Sequence, residues 1–123
     1  MLKKLFRRPA IMFVTLWARW AYDKGVKLAE ERWKNTPAAA RSTIYLAANS
    51  FRPDRLVTYD KTQFKMEKKV FGYHARLLTM NTLRNGCYYY TADKFGNNRI
   101  HDKEKEIRRS AFIKERLRIA GLI

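Results

Sequence analysis

Charge imbalance limits what this chain can fold into more than any motif does. Its 123 residues carry 27 lysines and arginines against 11 aspartates and glutamates, a net charge of +16. Self-repulsion of that size destabilises a compact state, so folding needs ample apolar surface and gains from any anionic partner. The excess runs the whole length, nine basic against three acidic residues over 1–40 and eighteen against eight over 41–123. That distribution excludes a neutral domain with a basic tail. Three Trp, seven Tyr and seven Phe exceed what a disordered polycation carries, and the length suits one domain with a modest core. The expected organisation is a basic, aromatic N-terminal helix or extension over 1–35, followed by a single small basic domain over 36–123.

Apolar periodicity predicts a mainly α protein of the α+β class. Pro9 suits the first turn of a helix running to Trp33, with Phe13, Trp17, Trp20 and Leu28 near one side and Gly25 interrupting the pattern. Thr36 as a cap and Pro37 at a first helical position predict a second helix over 38–48, hence an N-terminal helical hairpin. After the break at Phe51-Arg52-Pro53-Asp54, Leu56-Val57-Thr58-Tyr59 is strand-like. Asp60 and Gln63 have the spacing of a capping box, and Phe64, Phe71, Ala75, Leu78 and Thr82 recur at helical intervals, predicting a helix over 61–84 closed by Asn85-Gly86.

The same Asn-Gly pair also fits a type I′ turn joining strands 77–83 and 87–91. That alternative gives a three- to four-stranded antiparallel sheet from residues 55–101 flanked by helices. Tyr88-Tyr89-Tyr90-Thr91 has strand character, and Gly96-Asn97-Asn98 offers a turn into Arg99-Ile100-His101, a small hairpin. A C-terminal helix is expected from Asp102, with Ile107, Ala111, Phe112 and Leu117 as its apolar stripe and Gly121 as its stop.

Catalytic and metal-binding patterns are scarce. A lone cysteine, Cys87, excludes an intramolecular disulfide and a Cys-based zinc cluster and points to a buried, inert thiol. His74 and His101 lack a third ligand at recognisable spacing, and there is no nucleophile motif or Gly-rich phosphate loop. Pro53-Asp54 with Glu67-Lys68-Lys69 resembles the PD-(D/E)xK pattern of metal-dependent nucleases, which implies Asp54 and Glu67 as metal ligands and Lys69 as their electrostatic partner. That chemistry needs Glu67 and Lys69 on a strand, where the periodicity favours a helix. The chain is therefore expected to be non-enzymatic, with no cofactor and no metal.

Basic and aromatic residues interleave along the chain, a combination suited to phosphate contact beside stacking surfaces. Arg7, Arg8, Arg19, Lys65, Lys68, Lys69, Arg76, Arg84, Arg108, Arg109, Lys114, Arg116 and Arg118 are the expected nucleic-acid contacts. No base-reading module is present, so binding without sequence specificity is expected, as in a structural component of a virion-like or ribosome-like assembly that contacts nucleic acid or other subunits. The alternative is a peripheral accessory subunit of a membrane complex. Leu5, Phe6, Phe13, Trp17 and Trp20 would then meet the membrane or a partner.

Residues 1–22 hold no acid, but their apolar stretch over 10–18 is too short to span a bilayer. Arg19, Trp20 and Tyr22 also stand where a signal-peptide cleavage site needs small residues. Secretion is not expected. An intracellular location or one inside a nucleoprotein particle is, with a mitochondrial destination left open by the basic, acid-free N-terminus.

Overall fold

The computed structural model describes residues 2–48, 55–60, 62–63 and 84–123, with backbone alone for 2–6. It shows a mixed α+β arrangement. Helix α1 (Leu2–Asn35) leads, followed by a short 3₁₀ turn at Ala38–Ala40, strands β1 (Tyr45–Ala48), β2 (Leu56–Tyr59) and β3 (Tyr89–Tyr90), and helix α2 (Asp102–Ile119). The three strands form one antiparallel sheet in the order β2-β1-β3, flanked by the helices.

α1 is longer than its sequence pattern predicts and encloses Pro9. A proline removes one helical N–H, here the one that would bond the Leu5 carbonyl, and the helix absorbs that loss close to its start. The buried side of α1 is made by Ala18, Tyr22, Gly25 and Ala29, at helical spacing of three and four. Phe13, Trp17, Trp20 and Leu28 lie on the exposed side. Small residues line the packed side because the sheet comes close: a Cβ built on Gly25 would sit 3.0 Å from both methyl carbons of Leu46.

The expected helical hairpin does not form. Thr36 closes α1 instead of opening a new helix, its hydroxyl donating to the Arg32 carbonyl at 2.7 Å. Arg41 folds back on the same helix end, its Nε donating to the Trp33 and Thr36 carbonyls and its Nη2 to the Lys34 carbonyl. These bonds supply partners for carbonyls that a helix terminus leaves open. Pro37 and Arg41 are both extended, and the chain continues into β1, the central strand. Local alanine propensity favours helix over 38–48, but tertiary pairing on two sides overrides it.

β1 pairs with β2 through Tyr45 opposite Tyr59 and Leu46 opposite Thr58, and with β3 through Tyr45 opposite Tyr90 and Leu46 opposite Tyr89. Alternation along the strand separates two faces. Ile44, Leu46 and Tyr89 join Ala29 and Ile100 in the core under α1, while Tyr45 and Cys87 cluster on the other side with Tyr90. Thr91 completes the ladder with its side chain: its hydroxyl accepts from the Ile44 amide at 2.8 Å while its own amide donates to the Ile44 carbonyl.

β2 falls on Leu56–Tyr59 as the pattern predicts. The Asp60 and Gln63 pair forms a reciprocal capping box, the Gln63 amide donating to Asp60 Oδ1 at 2.6 Å and the Asp60 amide to Gln63 Oε1 at 3.2 Å. The rest of the 61–84 helix and its rival strand at 77–83 lie outside the described residues, although residues 84–86 are helical.

The expected hairpin over 88–101 is a reversal without a second strand. Asp93 Oδ1 accepts from the Phe95 and Asn97 amides, Gly96 and Asn98 take positive φ, and two backbone bonds cross the reversal, from the Asp93 amide to the Asn97 carbonyl and from the Ile100 amide to the Tyr90 carbonyl. β3 pairs with β1 instead.

α2 starts and stops where expected. Gly121 sits at φ +73°, with its amide bonded to the Arg118 carbonyl and the Leu122 amide to that of Leu117, the left-handed stop that favours glycine. Its apolar stripe is narrower than predicted: Phe112 and Leu117 are buried, whereas Ile107 and Ala111 are exposed. Among the described residues α2 packs mainly against α1, and Ile107 and Ala111 face away from that contact.

The close approach at Gly25 makes a direct prediction. Gly25→Val should destabilise the fold by about 1–3 kcal/mol through overpacking against Leu46, read as a lower urea midpoint at unchanged slope.

Candidate anion-binding surface

Arginines and lysines play different parts on this surface. Arg109 grips Asp23 with two bonds of 3.1 and 2.9 Å, tying α2 to α1. Arg108 bonds Glu104 at 3.0 Å and donates through Nη1 to the Arg84 and Cys87 carbonyls, both at 2.8 Å. Arg32 reaches the Thr58 carbonyl and Asp60, joining α1 to β2. Arg99 Nη1 lies 2.8 Å from Glu30 Oε2, while Glu30 Oε1 accepts the Tyr89 hydroxyl. Arg118 pairs with Glu115, and this bond holds the Glu115 carboxyl below its usual range.

Arginines also lie on aromatic rings: Arg84 and the ion-paired Arg108 over Tyr90, Arg41 over Trp33, and Arg116 4.5 Å from the Trp17 ring centre. Nε and Nη1 of Arg116 are buried without a hydrogen-bond partner. The planar guanidinium fork suits these roles, since it bonds in two directions and stacks on rings.

No lysine whose side chain is described takes part in an ion pair. Lys24, Lys27, Lys34, Lys94, Lys103 and Lys114 are exposed. Lys24 and Lys105 lie over Trp20 and Tyr89 respectively. Arg8, Arg19 and Arg55 are also exposed and outside every described ion pair, and Arg7 donates only to the Leu122 carbonyl.

Of the expected nucleic-acid contacts, Arg7, Arg8, Arg19 and Lys114 thus carry free charge at the surface. Arg108, Arg109 and Arg118 are held in ion pairs, Arg116 lies half-buried on the Trp17 ring, and Arg84, over Tyr90, is exposed and outside every described ion pair, as Lys24 over Trp20 is. Lys65, Lys68, Lys69 and Arg76 lie outside the described residues, as do Asp54, Glu67 and His74. Leu5 and Phe6 are in the first turns of α1. The exposed set also includes Lys27, Lys34, Lys94, Lys103 and Arg55, which sequence clustering does not single out. Spacing does not reveal them: Lys27, Lys34 and Lys103 each have an acid at helical spacing, but Asp23 and Glu30 are taken by the distant Arg109 and Arg99, and Glu106 by Arg109.

No protein-family model, no curated protein and no solved structure matches this chain. No helix among the described residues is long and apolar enough to cross a membrane.

Cys87 is buried, and burial pushes its thiol up to about 11 from an ordinary value of 9.0. Burial raises Tyr22, Tyr45, Tyr88 and Tyr89 in the same direction. A group that holds its proton more tightly when folded stabilises the fold fully below its unfolded pKa and loses that contribution as pH rises through the folded one. For Cys87 the loss runs from pH 9.0 to about 11. The urea midpoint should therefore show no loss from these groups below pH 9.0 and fall above it. A thiol reagent at pH 8 should label Cys87 slowly in the native protein and rapidly in urea.

Proposed function

We propose that the protein is a non-enzymatic structural component of a large nucleoprotein assembly, contacting nucleic-acid phosphates without sequence specificity. The observation that carries this is the division between the two basic residue types. Arginines consume most of the described carboxylates in building the fold, so the exposed lysines, with Arg7, Arg8, Arg19 and Arg55, hold charge that nothing in the described residues neutralises. Free ammonium groups on a +16 chain attract phosphates and release their counterions, giving affinity that depends on salt more than on sequence. The free cations are scattered over both helices and the 93–97 turn, which suits multipoint contact with a polyanion better than one compact ligand.

Binding to unrelated duplexes and single strands should show similar affinities and a steep fall with salt. Replacing Lys27, Lys34, Lys103 and Lys114 by Gln should lower the slope of log affinity against log salt by about one for each lysine that contacts a phosphate. Thermal stability should change little, because these side chains hold no described partner. Arg109→Gln should do the opposite, costing stability through the loss of its bonds to Asp23 with little effect on the salt slope. A marked preference for one sequence, or a salt slope unmoved by the four lysine changes, would defeat the proposal.

A further inference from the structure

The outward side of the first half of α1 is apolar and exposed. Met12, Phe13, Leu16 and Trp20 are 66%, 71%, 57% and 58% exposed, with Trp17 beside them. Their spacing places them on one side of the helix over about 12 Å of its axis. A patch of large apolar side chains grouped this way marks a contact surface. It runs into a cleft of about 500 Å³ between α1 and β2, lined by Trp17, Trp20, Lys24, Leu28, Arg55 and Leu56 among others. Arg8 and Arg19 are exposed toward its two ends, and neither they nor Lys24 and Arg55 make a described ion pair.

We infer that this face docks flat on an anionic lipid bilayer. Met12, Phe13, Leu16 and Trp20 enter the boundary between headgroups and acyl chains, while Arg8, Arg19, Lys24 and Arg55 meet anionic headgroups. Apolar side chains with tryptophan, bordered by free cations, are the combination that binds such an interface. The geometry requires lying on the membrane, because the opposite side of α1 is buried through Ala18 and Tyr22 against α2.

Charge selects among the occupants. A second copy would bring another +16 and the same cations against this face. Nucleic acid satisfies the cations but offers no counterpart to the aliphatic side chains of Met12 and Leu16, since its favourable contacts are stacking and phosphate pairing. The apolar contacts, Met12, Phe13, Leu16 and Trp20, play no part in the phosphate-binding role, while Arg8, Arg19, Lys24 and Arg55 are common to both, so changing the apolar side chains alone separates the two.

Flotation of the full chain with phosphatidylcholine vesicles, with and without phosphatidylserine, tests it alongside tryptophan emission. The wild type should float with the anionic vesicles and its emission should shift to the blue. The triple variant Phe13→Gln, Leu16→Gln, Trp20→Gln changes only exposed side chains and should keep the helix content. It should lose vesicle binding by about tenfold or more, as should Lys24→Glu with Arg55→Glu, while the triple variant keeps its affinity for nucleic acid. Absence of wild-type flotation, or flotation unchanged in the triple variant, overturns the inference. So does a self-association or a nucleic-acid affinity that the triple variant abolishes, since the face would then belong to that partner. A wild type that binds nucleic acid but does not float leaves the phosphate-binding role standing, and one that floats but does not bind nucleic acid leaves the docking face standing.

Discussion

A fully buried phenol joins the parts of this fold. Tyr22 is completely enclosed, and its hydroxyl donates to the Tyr88 carbonyl at 2.8 Å with the Lys105 carbonyl 3.4 Å away. A hydroxyl taken out of water without a partner is costly, so α1, the entry to β3 and α2 must meet at one height along the helix. Phe112 closes the arrangement, its ring 6.2 Å from Tyr22 and edge-on to Tyr88 at 5.2 Å. Ala18, Gly25 and Ala29 flank Tyr22 on the same side of α1, and their small size lets the one large residue set the depth. The closeness at Leu46 follows from this.

Given that frame, a chain with few carboxylates places three of them where they bind elements together. Asp23 holds α1 to α2, Asp60 holds α1 to β2, and Glu30 is shared between Tyr89 and Arg99. Arginine takes these positions because its fork can satisfy a carboxylate and a backbone carbonyl together, as Arg32 and Arg108 do. Lysine, a strongly hydrated point charge on a flexible stem, remains outside. One sequence-wide excess of charge is thus divided into a part that builds the molecule and a part that faces outward.

The elements legible in the sequence are those decided by local chemistry. β2, the Asp60–Gln63 capping box, the start of α2 and its glycine stop each depend on a few neighbouring residues. β1 was not legible, because residues 38–48 favour helix locally and become extended through Arg41 on the end of α1 and pairing on both strand edges. The buried side of α1 was also hidden: large aromatics draw the eye to Phe13, Trp17 and Trp20, while the packed side is written in Ala18, Tyr22, Gly25 and Ala29. Of the binding surface, the charge excess is visible in composition, but which cations are free depends on where the acids end up. Arg108 and Arg109 look like neighbours of Lys114 along the chain and differ from it in having carboxylate partners.

That division leaves the fold and the surface field open to separate chemical control. An acylating reagent that attacks primary amines would cap Lys27, Lys34, Lys94, Lys103 and Lys114 without touching any guanidinium. Each capped amine removes one positive charge, while the bonds from Arg32, Arg108 and Arg109 to their carboxylates and carbonyls remain. The lysine share of the outward charge is therefore a titratable coating, over a framework and an exposed set of Arg7, Arg8, Arg19 and Arg55 that the same chemistry does not reach.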